Sequence, residues 1–311
     1  MSFPTIEDYL RAPAHPLRQA GGYRSGRRSS NPDLPLVSIL TIVRNSKDTL
    51  PGTIRSVLSQ TYPNIEYIIV DGASTDGTLG VIKQSDDKID LWISEPDHGT
   101  SEAINKAICL ARGDFVSWLA SGDWFDTDFI EIAVKALLRS GADFVFGDLR
   151  IYKGDALVQN VTGDKDFATS IKPEVRSLVF PTRVTRSSPT MVTKRECFQR
   201  VGLFDLSYKI RNDFEWIVRL HLHGGRGVYE SRLIGHFRLG GTSDIDSDFT
   251  HIFENLKILR QHRLLTAGVA APYLYRLVRY SMGYTAKLLL PDIIRRKLKH
   301  VMRRSHSVPM D

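Results

Sequence analysis

Hydrophobic and polar positions follow two alternating patterns along residues 36–148. Short apolar runs rich in β-branched residues have the length of strands, and the stretches between them carry apolar residues at helical spacing. The predicted strands are Val37–Val43, Tyr67–Val70, Leu91–Ser94, Phe115–Leu119 and Phe144–Phe146. Apolar strands that alternate with helices are typical of a parallel sheet covered on both faces. The pattern therefore predicts an α/β fold with a mostly parallel sheet flanked by helices.

The pattern changes on either side of this block. Residues 1–34 are rich in Pro, Gly, Ser and Arg, which predicts a flexible basic arm with a short helix around Ile6–Leu10. Residues 150–187 are polar and irregular, and we interpret them as a loop region that faces an acceptor. Helical spacing returns in two short segments and then dominates residues 249–304. The predicted domains are the arm (1–34), an α/β domain (35–245) and a helical, basic C-terminal extension (246–311).

Composition and charge argue against a membrane-spanning, a secreted and a nucleic-acid-binding protein. The chain of 311 residues is 42% hydrophobic and 25% charged, its apolar stretches are too short to span a bilayer, and its N-terminus lacks the apolar segment of a secretion signal. Cys109 and Cys197 fit two buried thiols in a reducing compartment, so we expect a cytoplasmic protein. The net charge of +7 is concentrated at the two ends, which lack the interleaved aromatic and basic residues of a nucleic-acid-binding motif. No nucleic-acid partner is therefore expected.

Ligands of parallel α/β sheets bind beyond the carboxyl ends of the strands, where loops lead into helices. Asp71 ends the second strand and could accept a hydrogen bond from a nucleobase or a ribose hydroxyl, although an ordinary Asp-Gly turn is the alternative. Asp97 lies in a turn before a helix whose first turns contain Asn105 and Lys106. Free N–H groups and a lysine at a helix start can face a diphosphate, and the alternative is a capped surface helix.

Asp123 follows the fourth predicted strand, in the sequence LASGDWFD. Mg²⁺ or Mn²⁺ needs only one or two protein carboxylates where substrate phosphates supply other ligands, so Asp123 is a candidate metal ligand. Asp126 is either a second ligand or a helix cap. His236 and Arg238 precede a Gly-Gly pair, and His236 could complete the metal shell or, like Arg238, contact phosphate. A structural histidine is the alternative.

Asp213 and Glu215 lie two residues apart at the start of a predicted helix. Residues at this spacing do not share a helix face, so one of them can point into a cleft while the other does not. A carboxylate aimed at an acceptor hydroxyl serves as a general base. The alternative is that Asp213 is placed there because the helix dipole favours an acid.

Taken together, these motifs resemble glycosyltransferase family 2. The resemblance covers roughly residues 36–243 and is carried by the blocks VSILTIVRN, SVLSQTYPNIEYIIVDGASTDGT, WISEPDHGTSEAINKAICLARGDFVSWLASGD, GLFDLSYKIRNDFEW and FRLGGTS. The resemblance implies a GT-A fold, which is a Rossmann-like sheet that holds a nucleoside-diphosphate sugar. It places Thr41 and Arg44 near the nucleoside, Asp71 at the base, and Asp97, Asn105 and Lys106 beside the sugar-diphosphate. It also places Asp123 in the metal-binding segment and Asp213 at the position of the catalytic base.

The resemblance implies an inverting, metal-dependent transfer from a nucleoside-diphosphate sugar, with UDP expected, to a saccharide or lipid-linked saccharide in polysaccharide synthesis. Many members carry a denser acidic cluster around the position of Asp123, so a non-catalytic nucleotide-sugar-binding module is the alternative. The basic C-terminal extension fits a protein that lies on an anionic membrane surface. A helical cap on the catalytic domain and a homo-oligomer interface are the other interpretations of that extension.

Overall fold

The computed structural model describes residues 3–11, 13–23, 33–163, 188–240 and 248–264. The strands of the described part are β1 (Gln19–Gly21), β2 (Val37–Val43), β3 (Ile65–Asp71), β4 (Leu91–Ser94), β5 (Phe115–Ala120), β6 (Trp124–Phe125), β7 (Phe144–Lys153), β8 (Ala156–Val161), β9 (Met191–Lys194) and β10 (Gly227–Arg238). The α-helices are α1 (Ile6–Arg11), α2 (Leu50–Leu58), α3 (Thr78–Lys83), α4 (Thr100–Leu110), α5 (Phe129–Ser140), α6 (Glu196–Val201), α7 (Asn212–Leu222) and α8 (Asp248–Gln261).

The strands form one mixed, mostly parallel sheet in the order β1-β4-β3-β2-β5-β9-β7-β10-β6, with β8 paired to β7. Strands β4, β3, β2 and β5 are parallel neighbours, and β10 runs parallel to β7. The antiparallel strand β9 lies between β5 and β7. The five predicted strands are all present, so the predicted α/β class with a mostly parallel sheet is confirmed.

Helices cover both faces of the sheet because its central strands are apolar on both sides. Every residue of β2 is buried. On one face Leu50 of α2 and Ile130 of α5 pack against the sheet. On the other face α4, α6 and α7 pack around Trp118, whose ring makes an edge-on contact with Trp216 at 6.5 Å between centroids. The helices therefore cover the two faces of the sheet, and loops line the edge at which the parallel strands end.

The described part of segment 1–34 packs on the domain. Helix α1 contacts α4, and β1 pairs antiparallel with β4, with Gln19 opposite Ser94. The short helix predicted around Ile6–Leu10 is present as α1, whereas the packing of this segment on the domain differs from the expected flexible arm. A three-residue edge strand is too short to give the apolar periodicity on which the prediction depended.

Residues 150–163 also differ from the expected irregular loop. Strand β7 continues to Lys153, turns at Gly154 (φ +61°) and pairs with β8 as a hairpin. Leu149 and Ile151 are buried, whereas the alternating residues Asp148, Arg150 and Tyr152 are only partly buried, and this period of two is typical of a strand. Residues 164–187 lie outside the described part of the chain.

Helix α8, in the predicted C-terminal extension, packs against the loop that precedes α7. The Tyr208 hydroxyl donates a hydrogen bond to the Gln261 side-chain oxygen at 2.8 Å, and Lys257 donates to the Ser207 hydroxyl at 2.8 Å. Within the described residues, no helix has the length and apolar character needed to cross a membrane. The rest of the extension, including the expected membrane-facing segment, lies outside the described residues.

Candidate active site

The loops that follow β2 and β3 are bound together at the carboxyl edge of the sheet. The Asn45 N–H donates to the Ser74 hydroxyl at 2.8 Å, and the Thr75 N–H donates to the Asn45 side-chain oxygen at 2.9 Å. Asn45 and Ala73 have φ angles of 49° and 54°, a region that few residues other than glycine adopt. The two loops therefore form a fixed rim rather than two independent turns.

Asp71 ends β3 at this rim, as the sequence predicts, but its side chain is fully buried. The carboxylate accepts hydrogen bonds from the Ser74 N–H at 3.1 Å, from the Ser74 hydroxyl, and from the Ser94 hydroxyl at 2.6 Å. Asp71 thus ties the end of β3 to the end of β4. Its contact with a nucleobase stays a prediction.

Arg44 and Asp97 come together above Gly72. A Cβ atom on Gly72 would lie 2.5 Å from an Asp97 carboxylate oxygen and 3.4 Å from Cδ of Arg44, so this position has no room for a side chain. Asp97 accepts a hydrogen bond from the Gly99 N–H at 2.9 Å. Partial burial raises the pKa of Asp97, and the charges of Lys106 and Arg44 oppose that rise. The loops after β2, β3 and β4 therefore meet at one place.

Glu95 is a buried residue of this edge that sequence reasoning missed. Arg18 donates to both of its carboxylate oxygens, at 2.6 and 3.0 Å, and the Lys106 ammonium lies 2.9 Å away. Burial alone would raise the pKa of Glu95, but hydrogen bonds from Arg18 and Lys106 hold it at about 2. Lys106 also pairs with Glu102 at 2.8 Å, so its charge is shared before any ligand binds. The only sequence signal was an acid directly after a predicted strand.

Two predicted substrate-binding residues do not face the loops. Thr41 is fully buried within β2, and its hydroxyl lies 3.0 Å from the Tyr67 hydroxyl. Asn105 is also fully buried, and its amide bonds both the N–H and the C=O of Phe204 at 2.9 Å. Both side chains therefore bond within the protein, and their expected places near the donor stay predictions. Asn105 fixes the chain between α6 and α7.

Asp123, His236 and Arg238 are brought together by the pairing of β6 with β10. His236 stands opposite Trp124 in the ladder, and their rings stack at 4.9 Å between centroids. The Arg238 N–H donates to the Asp123 carboxylate at 3.1 Å, and the Arg238 guanidinium donates to the Gly154 carbonyl at 2.8 Å. The side chains of Asp123 and His236 are buried. Asp123, which directly precedes β6, thus lies beside β10, the strand that carries His236 113 positions later in the chain.

Each nitrogen of the His236 ring has a different environment. Nε2 lies 2.9 Å from an Asp126 carboxylate oxygen, whereas Nδ1 is buried and has no hydrogen-bond partner among the described residues. Burial lowers the pKa of His236, against the opposing effect of Asp126. If Nε2 carries the proton that Asp126 accepts, Nδ1 keeps a lone pair that no described residue uses. Asp126, for which a helix cap was one interpretation, bonds the histidine instead.

Asp213 is held near the loops at the carboxyl edge of the sheet by the hydrogen bonds of its neighbour Asn212. The Asn212 amide donates to the Ser101 hydroxyl at 2.9 Å, and that hydroxyl donates to the Tyr208 carbonyl at 3.0 Å. Ser101 lies in the first turn of α4, directly after the Asp97–Gly99 turn. The start of α7 is therefore fastened beside the turn after β4, although more than a hundred residues separate the two.

The carboxylates of Asp213 and Glu215 have different surroundings, as their spacing predicts. Glu215 is fully buried and pairs with Arg219 at 2.8 Å. Asp213 is half-buried and accepts a hydrogen bond from the Phe214 N–H at 2.7 Å. Burial raises the pKa of Asp213 to about 6, although Arg211 acts in the opposite direction. A carboxylate with this pKa can accept a proton near neutral pH.

The family model for glycosyl transferase family 2 matches residues 38–202, more than half of the chain. The chain belongs to glycosyl transferase family 2. The match includes the loops after β2, β3, β4 and β5, but ends before α7 and β10. Asp213, His236 and Arg238 therefore lie outside the matched segment, and only the fold connects them to it.

Similar proteins and structures agree with this family 2 assignment. Over 124 residues, 40% of this chain and 49% of the other, the sequence is 33% identical to the Escherichia coli protein named UDP-Glc:alpha-D-GlcNAc-diphosphoundecaprenol beta-1,3-glucosyltransferase WfgD. The chain spans about half the length of such curated relatives. Staphylococcus aureus TarS 1–349 in complex with UDP-GlcNAc superposes with a TM-score of 0.61 at 17% identity, covering 82% of this chain and 76% of that one.

A mannosyltransferase from Pyrobaculum calidifontis in complex with GDP-Man and Mn²⁺ superposes with a TM-score of 0.54 at 16% identity, covering 94% of this chain and 88% of that one. These likenesses confirm the GT-A fold of the family 2 chain.

Two residues of this family 2 chain offer ligand atoms of the kind that a cation bound together with a substrate needs. No group of three His, Cys, Asp or Glu side chains within the described ranges could hold a metal ion by itself. Asp123 offers a buried carboxylate, and Nδ1 of His236, which no described residue bonds, offers a lone pair while Asp126 orients the ring from the other nitrogen. A histidine ligand whose second nitrogen bonds a carboxylate is a common arrangement in metal sites. Two protein ligands suffice when phosphate oxygens supply the rest.

Proposed function

We propose that this chain transfers a sugar from a nucleoside-diphosphate sugar, with UDP as the nucleotide, to a hydroxyl of a saccharide or lipid-linked saccharide acceptor. We further propose that the transfer inverts the anomeric configuration and serves cell-surface polysaccharide synthesis. The observation that carries this proposal is the bond between Asn212 and Ser101, because it fastens the start of α7, which carries Asp213, beside the loops of the sheet edge. The family, and the UDP-Glc and diphosphoundecaprenol in the E. coli relative's name, support the class of donor and acceptor.

In this proposal Asp213 acts as the general base. Its carboxylate takes the proton of the acceptor hydroxyl as the oxygen attacks the anomeric carbon. The new bond joins this oxygen to the anomeric carbon, while the bond from that carbon to the phosphate oxygen breaks and its electron pair leaves with the nucleoside diphosphate. A single displacement of this kind inverts the configuration. General-base help of this type contributes about 10²–10⁴-fold in rate.

The rest of the loop edge binds and orients the donor. Arg44 and Lys106 place positive charge beside Asp97 near the start of α4, where backbone N–H groups favour a diphosphate. Asp71 supports the base-binding side of the rim. Asp123 and His236 would hold a divalent cation, Mn²⁺ or Mg²⁺, which when bound supplies positive charge to the diphosphate; Arg238 lies beside them.

The proposal is tested by incubating the purified chain with UDP-sugars and a lipid-linked saccharide acceptor. The expected result is release of UDP that depends on the acceptor and on Mn²⁺, with a product anomer opposite to that of the donor by NMR. Binding of a UDP-sugar without transfer or hydrolysis would instead identify a non-catalytic binding module. Attachment of residues 246–311 to an anionic membrane stays a prediction, and co-sedimentation with anionic vesicles tests it.

A further inference from the structure

Helix α8 shapes the loop that leads into α7 from outside the segment that the family model matches. The side chain of Glu254, near the middle of α8, is buried against this loop. Its carboxylate accepts hydrogen bonds from three consecutive backbone N–H groups: Lys209 at 2.8 Å, Ile210 at 3.1 Å and Arg211 at 2.9 Å. One side chain therefore fixes the backbone of three residues that end two positions before Asp213.

The neighbouring residue of α8 strengthens the same arrangement. Asn255 accepts a hydrogen bond from Nε of Arg211 at 2.8 Å, so both the main chain and the side chain of Arg211 are bound to α8. Arg211 occupies the N-cap position of α7, although its side chain makes no capping hydrogen bond there. Three N–H groups that converge on one carboxylate are satisfied only in a narrow range of backbone angles, and charged hydrogen bonds of this kind are the stronger ones. The direction in which the chain enters α7 is thereby set by α8.

We infer that Glu254 is a positioning residue for Asp213, which it acts on by holding the backbone of Lys209, Ile210 and Arg211. The inference rests on the proposed function, in which Asp213 is the general base. It assigns to the C-terminal extension a part in catalysis rather than the role of a cap alone. A displacement of about 1 Å at a reacting group can cost 10²-fold in rate, so the loop geometry matters for turnover.

Glu254 also contributes charge at this place. The charged groups that act on Asp213 are Arg211, from its own loop, and Glu254, from α8. Arg211 lowers the pKa of Asp213, whereas Glu254 raises it. Replacing Glu254 by a neutral residue therefore favours the ionised form of Asp213. The fall of activity at low pH, which we call the acid limb of the pH profile, should then move to lower pH.

The experiment compares Glu254→Gln with Tyr208→Phe in the full chain. The glutamine keeps the size of the side chain, but its NH₂ group faces N–H donors and it carries no charge. Tyr208→Phe removes the bond to Gln261, which ties the same loop to the same helix farther from Asp213. We expect Glu254→Gln to lower kcat by roughly 10²-fold, to shift the acid limb to lower pH and to leave UDP affinity unchanged. Tyr208→Phe should leave kcat and the acid limb near wild type.

A Glu254→Gln variant that folds and keeps the wild-type kcat and acid limb would overturn the inference, even if its melting temperature fell. If Glu254→Gln fails to fold, Glu254→Asp replaces it: the shorter side chain keeps the charge, so kcat should fall while the acid limb stays in place. Wild-type kcat in Glu254→Asp would likewise overturn the inference.

The double variant with Asp213→Asn separates failure of the inference from failure of the proposed function. If Asp213 is the base and Glu254 acts through it, the double variant should match Asp213→Asn alone, because coupled residues are not additive. If the double variant instead loses kcat by the product of the two single losses, Glu254 does not act through Asp213. That result would overturn the positioning role of Glu254 but not the role of Asp213 as the base. Wild-type activity of Asp213→Asn itself would remove the proposed base, whatever Glu254 does.

Discussion

Arg18 binds Glu95 through two hydrogen bonds of 2.6 and 3.0 Å, and this pair joins the N-terminal segment to the carboxyl end of β4. Glu95 is almost fully buried, and Lys106 shares its carboxylate. The N-terminal residues 13–23 are therefore part of the architecture that carries the loop with Asp97.

Replacing Arg18 by methionine should lower stability while preserving the fold. Hydrogen bonds to charged groups contribute about 1.5–3 kcal/mol, and we expect the lower end because Lys106 keeps its bond to Glu95. The pKa of Glu95 is depressed to about 2, so its stabilisation is present above its ordinary pKa and is lost as the pH falls toward 2. Urea unfolding between pH 7 and pH 3 checks this: the variant should lose less stability on acidification than the wild type. Equal losses would contradict the account.

Gly72→Ala should weaken donor binding without unfolding the chain. The new methyl group would lie 2.5 Å from the Asp97 carboxylate, which has to move. We expect UDP affinity to fall by about tenfold, or ~1.4 kcal/mol. Gly80→Ala is the matched control, because a methyl group there meets nothing within 4 Å, and alanine in a helix should raise stability slightly. Calorimetric titration with UDP checks both variants. Unchanged UDP affinity in Gly72→Ala would contradict a role of Asp97 in donor binding.

Arg219→Leu should be strongly destabilising. Arg219 is buried, pairs with Glu215, and donates to the carbonyls of Val201 and Leu203. Among the residues that the structure describes, its loss leaves the buried Glu215 carboxylate with His262, at 2.9 Å, as its one remaining ion-pair partner. Breaking a buried ion pair in this way costs about 3–5 kcal/mol. The free energy of unfolding from urea titration gives the measurement. A loss below about 1 kcal/mol would show that the surroundings of Glu215 relax freely.

The sequence predicts the core of this fold better than its edges. The apolar runs of β2, β3 and β5 are long enough to identify a parallel sheet, and the strand-end rule then places Asp71 and Asp97 correctly at one edge. Whether each predicted site residue faces the loops or the interior depends on its burial, which the sequence does not show. The position of Asn105 within α4 gives no sign that its amide bonds Phe204 rather than facing a ligand.

The missed residues have a common cause. Arg18 and Glu95 lie seventy-seven positions apart, and β1, which brings them together, is only three residues long. The three N–H groups bound by Glu254 are main-chain atoms, so no residue type marks them. The separation of Asp213 from Glu215 was predictable, because helix geometry alone requires it.

The cation site is tested by pairing His236→Phe with Asp126→Asn. Phenylalanine keeps the stack on Trp124 but offers no nitrogen, so the fold should survive while Mn²⁺ binding in the presence of UDP is lost. Asp126→Asn should weaken Mn²⁺ affinity by about 10–100-fold, the usual effect of losing the partner of a metal-binding histidine. Paramagnetic titration with Mn²⁺ measures both. Wild-type Mn²⁺ affinity in both variants would remove His236 from the site.

The central claim is that Asp213 is the general base, and the pH profile of transfer by the wild type and by Asp213→Asn tests it most directly. Burial raises the pKa of Asp213 to about 6, and a base works only when ionised, so wild-type kcat should fall as the pH drops below about 6. Asp213→Asn should lose ~10²–10⁴-fold in kcat together with this acid limb, while its affinity for UDP stays the same. An Asp213→Asn variant that keeps full turnover with its acceptor, or that keeps the acid limb, would contradict the account.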